Sequence, residues 1–493
     1  MLFNSYLFIF LYLPVTLTGF FAISRFCHHK ILLLWLVGAS LFFYGWWNPI
    51  YLWLLLASIL SNYALGTTIG YFSGNKPIAK GFLVIGITFN LGLLGYLKYA
   101  NFFVSEWNLL TGTNFYLETI ALPLAISFFT FQQITYLIDT CQGKTCEYDF
   151  LHYSLFVVFF PQLIAGPIVH HKEMLPQFSK NRIFSPSQEH LAVGITLFSI
   201  GLFKKTVLAD GFIKYVTPVF AAEKLSTALT FYEAWGGALA YTFQIYFDFS
   251  GYSDMAIGLA RMFGIRLPLN FNSPYKAVNI REFWRRWHIT LSRFFRDYLY
   301  LPLGGNRKGK VRQFINLVIT MLLGGIWHGA SRSFILWGAL HGCYLSSNHL
   351  WQMVCKEFNL SSRKSSFLGP IAAQMLTFTA IVVAWVVFRA ETISGAMNIL
   401  SVMFGSNGIS LPEHIKPGRF ITAFLIVWLA PNTQQIMIKF QPTIETYSKS
   451  IKKWRWQWLQ WEPTRAWGII IGSIFLYAVS HLTDVSEFLY FQF

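Results

Sequence analysis

The sequence predicts an all-α protein that crosses a membrane many times, and three features carry that prediction. Hydrophobic residues make up 55% of the 493 residues, and charged residues only 12%. A soluble domain usually has about 25% charged residues, because its surface faces water. The apolar residues also form runs of about 20, the helix length that crosses a hydrocarbon core. These runs do not alternate apolar and polar residues, which excludes the strands of a membrane barrel.

We expect about ten to thirteen transmembrane helices, with ends uncertain by a few residues. The candidate spans lie near residues 4–23, 31–47, 50–72, 80–98, 118–138, 152–168, 190–208, 230–250, 313–327, 333–354, 368–388, 418–433 and 466–482. The first run lacks the basic start and the cleavage site of a signal peptide, so we interpret it as an uncleaved span. No internal repeat or long linker is visible, and we expect a single membrane domain over residues 1–493.

Residues 261–312 form a basic segment with twelve Lys or Arg and two acidic residues, within a chain of net charge +17. Such an excess is typical of cytoplasmic loops. It would equally suit an anionic ligand, such as the phosphates of a nucleotide-containing donor or lipid headgroups. A nucleic-acid partner is excluded, because the segment lies between membrane spans without a binding fold. We therefore expect the segment on the cytoplasmic side.

Residues 279–300 of this segment show a helical period. Apolar side chains recur at three- and four-residue steps, as on one face of a helix: Phe283, Trp287, Leu291, Phe294 and Phe295. The arginines fall largely elsewhere. We expect an amphipathic helix that lies at, or dips into, the cytoplasmic interface.

Three of the twelve histidines stand in or beside apolar segments or in the amphipathic stretch: His288, His328 and His341. Glycines flank His328 in MLLGGIWHGAS, and small residues allow a close approach of backbone or ligand. An ionisable group at membrane depth is expensive and therefore a functional candidate. The alternative is a histidine that hydrogen-bonds between helices, and for His341 that structural or tunnel-lining role is the favoured interpretation.

Asp248 and Asp254, in QIYFDFSGYSDMA, could orient a histidine or line a polar tunnel. Alternatively they pair with Arg261 or Arg266 and hold helices together. The five cysteines show no zinc-site spacing, so we expect neither a disulfide nor a bound metal. A phosphate-binding loop, a GxSxG elbow and an HExxH helix are absent from the sequence, which makes an ATP-driven pump a poor candidate. Composition alone leaves a channel or secondary transporter open.

The stretch FNSPYKAVNIREFWRRWHITLSRFFRDYLYLPLGGNRKG, followed by NLVITMLLGGIWHGAS, resembles the membrane-bound O-acyltransferase (MBOAT) family. Within the family it is most similar to the branch of alginate and peptidoglycan O-acetyltransferases. Further matching blocks are MLFNSYLF, LPLAISFFTFQQITYLID, FFPQLIAGPIV, IGLFKKTVLAD, QIYFDFSGYSDMAIGLA and FLYFQF. The loop with Cys141 and Cys146, residues 405–417 and residues 441–462 match no block.

The resemblance implies a ring of tilted helices around a thin central tunnel, in a multi-pass protein of the bacterial inner membrane. It implies that His328 and His288 are the catalytic positions. Imidazole titrates near neutral pH, so His328 can act as general base, while His288 positions donor or acceptor. The expected donor is cytoplasmic acetyl-CoA, with Arg285 and Arg286 as candidate donor-binding residues and with no bound cofactor.

The family branch also implies a separate extracytoplasmic, SGNH-like partner that places acetyl on a polysaccharide, either alginate or peptidoglycan. A related branch moves D-alanine from a carrier protein towards teichoic acids, and that transfer is one alternative. A polysaccharide export or transport component is another. Membrane lipid is the remaining expected partner.

The end of the chain yields a separate hypothesis. Lys and Arg between residues 449 and 455 suggest a cytoplasmic segment, so a span near 466–482 would place residues 483–493 outside. This tail holds Tyr490, whose phenol has an ordinary pKa near 10. D-alanylation systems use a tyrosine as an acyl relay, and the resemblance suggests the same for Tyr490. The alternative is an aromatic tail that anchors the chain at the outer interface.

Overall fold

The computed structural model describes residues 1–26, 28–145, 149–179, 187–225, 228–358, 368–409, 416–445, 457–482 and 489. Over these residues the regular structure is helical, without a β-strand, which confirms the all-α prediction. The helices are α1 (Leu13–Phe26), α2 (His29–Gly45), α3 (Pro49–Tyr71), α4 (Lys76–Leu94), α5 (Ala100–Thr111), α6 (Ile126–Cys141), α7 (Phe150–Val158), α8 (Phe160–Leu163), α9 (His171–Phe178), α10 (Gln188–Phe203), α11 (Ile213–Leu225), α12 (Phe231–Met262), α13 (Ile280–Trp284), α14 (Ile289–Phe295), α15 (Lys310–His328), α16 (Arg332–Glu357), α17 (Leu368–Arg389), α18 (Ile393–Met403), α19 (Pro417–Trp428), α20 (Thr433–Ile436) and α21 (Arg465–Ser480).

Within the described ranges, five helical stretches are long and apolar enough to cross a membrane: Phe8–Phe26, Pro49–Tyr71, Lys76–Thr111, Gln188–Ala222 and Gly369–Arg389. Helices α2, α18, α19 and α21 are apolar but shorter. The chain is therefore a multi-pass membrane protein. The total of ten to thirteen spans and the ring around a tunnel stay predictions.

The chain forms two compact units, each assembled from separate segments. Unit 1 comprises Met1–Phe203, Tyr252–Leu269 and Gln435–Phe491. Unit 2 is built from Lys204–Gly251 and Asn270–Gln434. The expected single domain over residues 1–493 stays a prediction.

In unit 1, helix α21 from the end of the chain packs against α10. Deeper in the unit, buried amides and hydroxyls bond across α3, α4 and α6. Asn62 and Asn90 exchange hydrogen bonds of 2.6 and 3.2 Å, and Gln133 donates to Ser58 Oγ at 2.9 Å. Such bonds fix helix pairs where water cannot satisfy the polar groups.

Two predicted spans of unit 1 differ from the structure. The prediction of a continuous span over 152–168 was wrong: α7 ends at Val158, and Phe159 has an extended ψ of 108°. The Phe160 N–H donates to Ser40 Oγ at 3.2 Å, and Pro161, which has no N–H, lies in the first turn of the short α8, so helix α7 cannot continue. The span near 118–138 is helical only from Ile126 onwards.

The prediction of one helix over residues 279–300 was also wrong. Helices α13 and α14 are separated by a turn in which His288 has a φ of +42°. Backbone bonds to residues 270–272 hold the turn: Ile289 N–H donates to Asn270 O at 3.0 Å, and Asn272 N–H to Arg286 O at 2.9 Å. The periodic apolar side chains are nonetheless buried within the protein. The position of this stretch at the cytoplasmic interface stays a prediction.

Helices α15 and α16 form a close hairpin in unit 2. A Cβ added at Gly325 would lie 2.2 Å from Phe334 O, and one at Gly338 would lie 2.5 Å from Met321 O. Only glycine permits this approach, which is the usual role of small residues between membrane helices. The hairpin turns directly after His328 and so places that histidine at its tip.

Candidate active site

Unit 2 contains a buried cluster of aromatic rings that holds three of the predicted histidines. His288, His328 and His341 are all buried. Trp327 and Trp337 lie between them. The ring centroids are 6.4 Å apart for His288 and Trp327, 4.9 Å for Trp327 and His328, 5.2 Å for His328 and Trp337, and 4.7 Å for Trp337 and His341. The fold thus brings together histidines that are up to 53 residues apart in sequence.

His328 is the last residue of α15. Gly329 follows in extended conformation, and Ser331 Oγ accepts the Phe334 N–H at the start of α16. The imidazole packs against Phe388 from α17, with centroids 5.2 Å apart. Rings on several sides therefore fix its position and exclude water, a setting in which a positioned imidazole can transfer protons.

A hydrogen bond with Asn270 orients the His288 ring. Its Nδ1 lies 3.0 Å from Asn270 Oδ1, which also accepts from Thr290 Oγ1 at 2.9 Å. Because the amide oxygen only accepts, Nδ1 must carry the proton, and Nε2 keeps its lone pair. The left-handed backbone of His288 costs free energy for a non-glycine residue. The bond to Asn270 stabilises that conformation.

His341 has the opposite arrangement. Trp284 Nε1–H donates to its Nδ1 at 3.3 Å, so the neutral imidazole carries its proton on Nε2. The ring stacks beside Phe283 and lies edge-on to Trp337. His288 can therefore accept a hydrogen bond at Nε2, whereas His341 can donate one.

Asp248 and Asp254 lie in different units. In unit 2, Asp248 accepts from Lys205 Nζ at 2.6 Å, and Lys205 also contacts Asp210 at 3.0 Å. Asp254 is buried in unit 1. For Asp248 the structure shows a lysine partner that sequence reasoning did not identify.

A cavity of about 670 Å³ lies in unit 2 beside the aromatic cluster. Four arginines line it, with Trp284, Leu345 and His349 on its wall: Arg281, Arg285, Arg293 and Arg296. Asp297 bonds Arg296 and raises the pKa of that guanidinium, which keeps it cationic. The cavity combines positive charge with an apolar wall, as a nucleotide-containing anion requires.

The two candidate donor-binding arginines have different surroundings in the structure. Arg285 lines the cavity, whereas Arg286 donates to Glu282 Oε1 at 2.6 Å and to Asn272 O at 3.2 Å. Arg286 thus belongs to the turn before His288. Trp284 stands on the cavity wall and bonds His341, which joins the cavity to the histidines. Tyr490 lies outside the described residues.

Sequence reasoning missed three residues of the site, Asn270, Trp284 and Trp337, and it also missed Lys205, the partner of Asp248. Lys205, within the apolar IGLFKKTVLAD, had a visible signal as a cation in a hydrophobic run. The others had none, because their roles depend on contacts between distant segments.

Comparison of the sequence with known proteins finds one family and several relatives. The sequence model of the membrane-bound O-acyltransferase family matches residues 139–388, which hold all three histidines. The peptidoglycan O-acetyltransferase of Helicobacter pylori is 42% identical over 100% of this chain and 98% of its own length. The probable alginate O-acetylase AlgI of Pseudomonas aeruginosa is 39% identical over 87% of this chain and 81% of its own. The teichoic acid D-alanyltransferase of Streptococcus thermophilus is 29% identical over 56% of this chain and 69% of its own.

Asn270→Ala tests the bond that orients His288. It leaves two buried donors without their acceptor, so we expect a loss of roughly 1–3 kcal/mol in stability, measured as a lower melting temperature in detergent. Thr290→Val removes only one of those bonds, and we expect a smaller loss. Equal melting temperatures for the wild type and Asn270→Ala would contradict this assignment.

Proposed function

This chain belongs to the membrane-bound O-acyltransferase family, and we propose that it passes acetyl from cytoplasmic acetyl-CoA towards an extracytoplasmic polysaccharide. Acyl transfer is the activity of the family. Donor, direction and acceptor are the proposed parts. The observation that carries the proposal is the buried histidine cluster of unit 2 beside a cavity lined by four arginines.

His328 acts as the general base in this proposal. It takes the proton of an acceptor hydroxyl while the hydroxyl oxygen attacks the thioester carbonyl carbon. The carbon–sulfur bond then breaks, and the leaving sulfur receives the proton from the imidazolium. The acetyl group is now bonded to the acceptor oxygen instead of the sulfur, and His328 returns to its neutral form.

His288 positions the donor or the acceptor. Its Nδ1–H is engaged by Asn270, so only Nε2 can serve a ligand, and it serves as an acceptor. A hydroxyl or amide group other than the attacking hydroxyl is a suitable partner, because the single proton of the attacking hydroxyl goes to His328 in this proposal.

The arginine cavity binds the donor. Coenzyme A carries several phosphate charges and an adenine ring, and arginine matches phosphate oxygens with its planar set of donors. Trp284 and the apolar wall can pack against the adenine ring of coenzyme A and against its uncharged chain between the phosphates and the sulfur. Positive charge in this segment also favours a cytoplasmic position, where acetyl-CoA is found.

Peptidoglycan is the polysaccharide that the comparisons favour. The Helicobacter relative named for it matches the whole chain at 42% identity, whereas the alginate relative matches 87% of the chain at 39%. Since acetyl-CoA is cytoplasmic and the polysaccharide is not, we place the chain in the inner membrane. A separate SGNH-like acetyltransferase outside the membrane completes the transfer.

His328→Ala tests the proposed base. A general base contributes about 10²–10⁴-fold, so we expect acetyl-CoA turnover by purified protein in detergent to fall by that range. The variant must elute and melt as the wild type does. Normal turnover in such a folded variant would end the proposed role of His328 as the base.

Single variants of Arg285 and Arg286 test whether the cavity binds acetyl-CoA. Arg285→Gln should raise the apparent KM for acetyl-CoA roughly fivefold to tenfold at low salt, with a smaller effect at high salt. Arg286→Gln should lower the melting temperature but leave KM near the wild-type value. Arg312→Gln, at an exposed position of α15, controls for the loss of one charge. Equal KM values for Arg285→Gln and Arg312→Gln would exclude the cavity as the donor site.

Tyr490 is proposed as an acyl relay between His328 and the partner enzyme. A phenol is easier to deprotonate than a serine hydroxyl, and its acetyl ester passes the group on more readily. After incubation with acetyl-CoA, the intact mass of the C-terminal peptide should include one added acetyl group, and Tyr490→Phe should lack it. Full polysaccharide acetylation by Tyr490→Phe would instead make the tail an anchor.

A further inference from the structure

A row of side chains on α16 runs from the arginine cavity to His328. Trp337, His341, Leu345 and His349 follow one another at four-residue intervals, each about 6 Å further along the helix. Leu345 and His349 line the cavity. At the other end, the Trp337 ring centroid is 5.2 Å from that of His328. The row therefore leads from the proposed donor cavity to the proposed base.

His341 offers a single group to a ligand. Its side chain is fully buried, and its Nδ1 accepts the Trp284 Nε1–H. The proton therefore stands on Nε2, which has no hydrogen-bond partner among the described residues. His341 thus presents an unused donor in the interior.

Trp337 presents a second donor of the same kind. It is 1% exposed, and its Nε1–H, which can only donate, also lacks a partner within the described part of the chain. The two ring centroids are 4.7 Å apart. Buried polar groups are rarely left unbonded, and here both groups lack an acceptor. A ligand for this place must bring acceptor oxygen without a donor of its own.

We propose that the Nε2–H of His341 and the Nε1–H of Trp337 bind the thioester carbonyl oxygen of acetyl-CoA. This inference rests on the proposed function and names the group that stabilises the reaction. A carbonyl oxygen has two lone pairs and no charge, so it fits two neutral donors in a buried place. When the acceptor oxygen attacks, this oxygen gains negative charge and both hydrogen bonds strengthen. As the intermediate collapses, the electron pair on this oxygen re-forms the carbonyl double bond. The sulfur leaves with the electrons of the carbon–sulfur bond and takes the proton from His328.

The test compares acetyl-CoA with S-ethyl-CoA, in which a methylene group replaces the carbonyl group. Isothermal titration of the full chain in detergent should show that the wild type binds acetyl-CoA roughly tenfold more tightly than S-ethyl-CoA. The ratio of these two affinities is the quantity compared among variants. Trp337→Phe should bring this ratio towards one and reduce kcat by roughly a hundredfold. Trp351→Phe, at an exposed position of the same helix, should retain the wild-type ratio.

Two substitutions at His341 separate a ligand contact from a structural contact. A glutamine amide reaches the position of Nε2 and can donate there, whereas an asparagine amide stands near Nδ1 and can accept from Trp284. If His341 Nε2–H donates to the ligand, His341→Gln should keep the affinity ratio and His341→Asn should lose it. If His341 only holds Trp284 in place, His341→Asn should keep the ratio and His341→Gln should lose it. This pair decides the matter even if Trp337→Phe does not fold.

The outcomes also distinguish this inference from the proposed function. A wild-type ratio of one, or a ratio unchanged in His341→Asn and Trp337→Phe, overturns the carbonyl site while acyl transfer through His328 stands. If the wild type binds neither compound, the carbonyl site is overturned together with acetyl-CoA as donor.

Discussion

The site depends on one constraint: a neutral imidazole has one proton and two nitrogens, so the bond at one nitrogen decides what the other can do. Asn270 accepts from His288, and Trp284 donates to His341. The two histidines are thereby fixed in opposite tautomers. In a hydrocarbon setting without bulk water, neither can readily exchange these roles. Two single hydrogen bonds thus divide accepting and donating functions around His328.

The close packing of α15 and α16 brings these side chains together with His328. The glycines of α15 and α16 let the two backbones approach until a side chain would no longer fit. Trp337 and His328 consequently come from different helices but share a contact. The same hairpin carries Leu345 and His349 to the arginine cavity. One helical hairpin therefore connects the proposed donor cavity with the proposed base.

Sequence reasoning predicted what local pattern determines. Apolar runs indicated the membrane helices, and the period through Phe283 and Phe294 indicated a buried face. Glycines beside His328 and the place of His288 in the amphipathic stretch made both histidines candidates, and their roles stay predictions. What failed was determined by distant contacts. The helix break at His288 depends on backbone bonds to residues 270–272. Likewise Arg285 and Arg286 seemed equivalent, yet adjacent residues in a turn point in different directions.

The packing of α21 against α10 has a consequence for biosynthesis. Unit 1 is completed by a helix that begins at Arg465, whereas its partner α10 ends at Phe203. At about 5–20 residues per second, a ribosome takes tens of seconds to make the intervening chain. The two segments Lys204–Gly251 and Asn270–Gln434 of unit 2 are synthesised in that interval. The histidine cluster can therefore assemble first, while the N-terminal helices wait in the bilayer for their last partner.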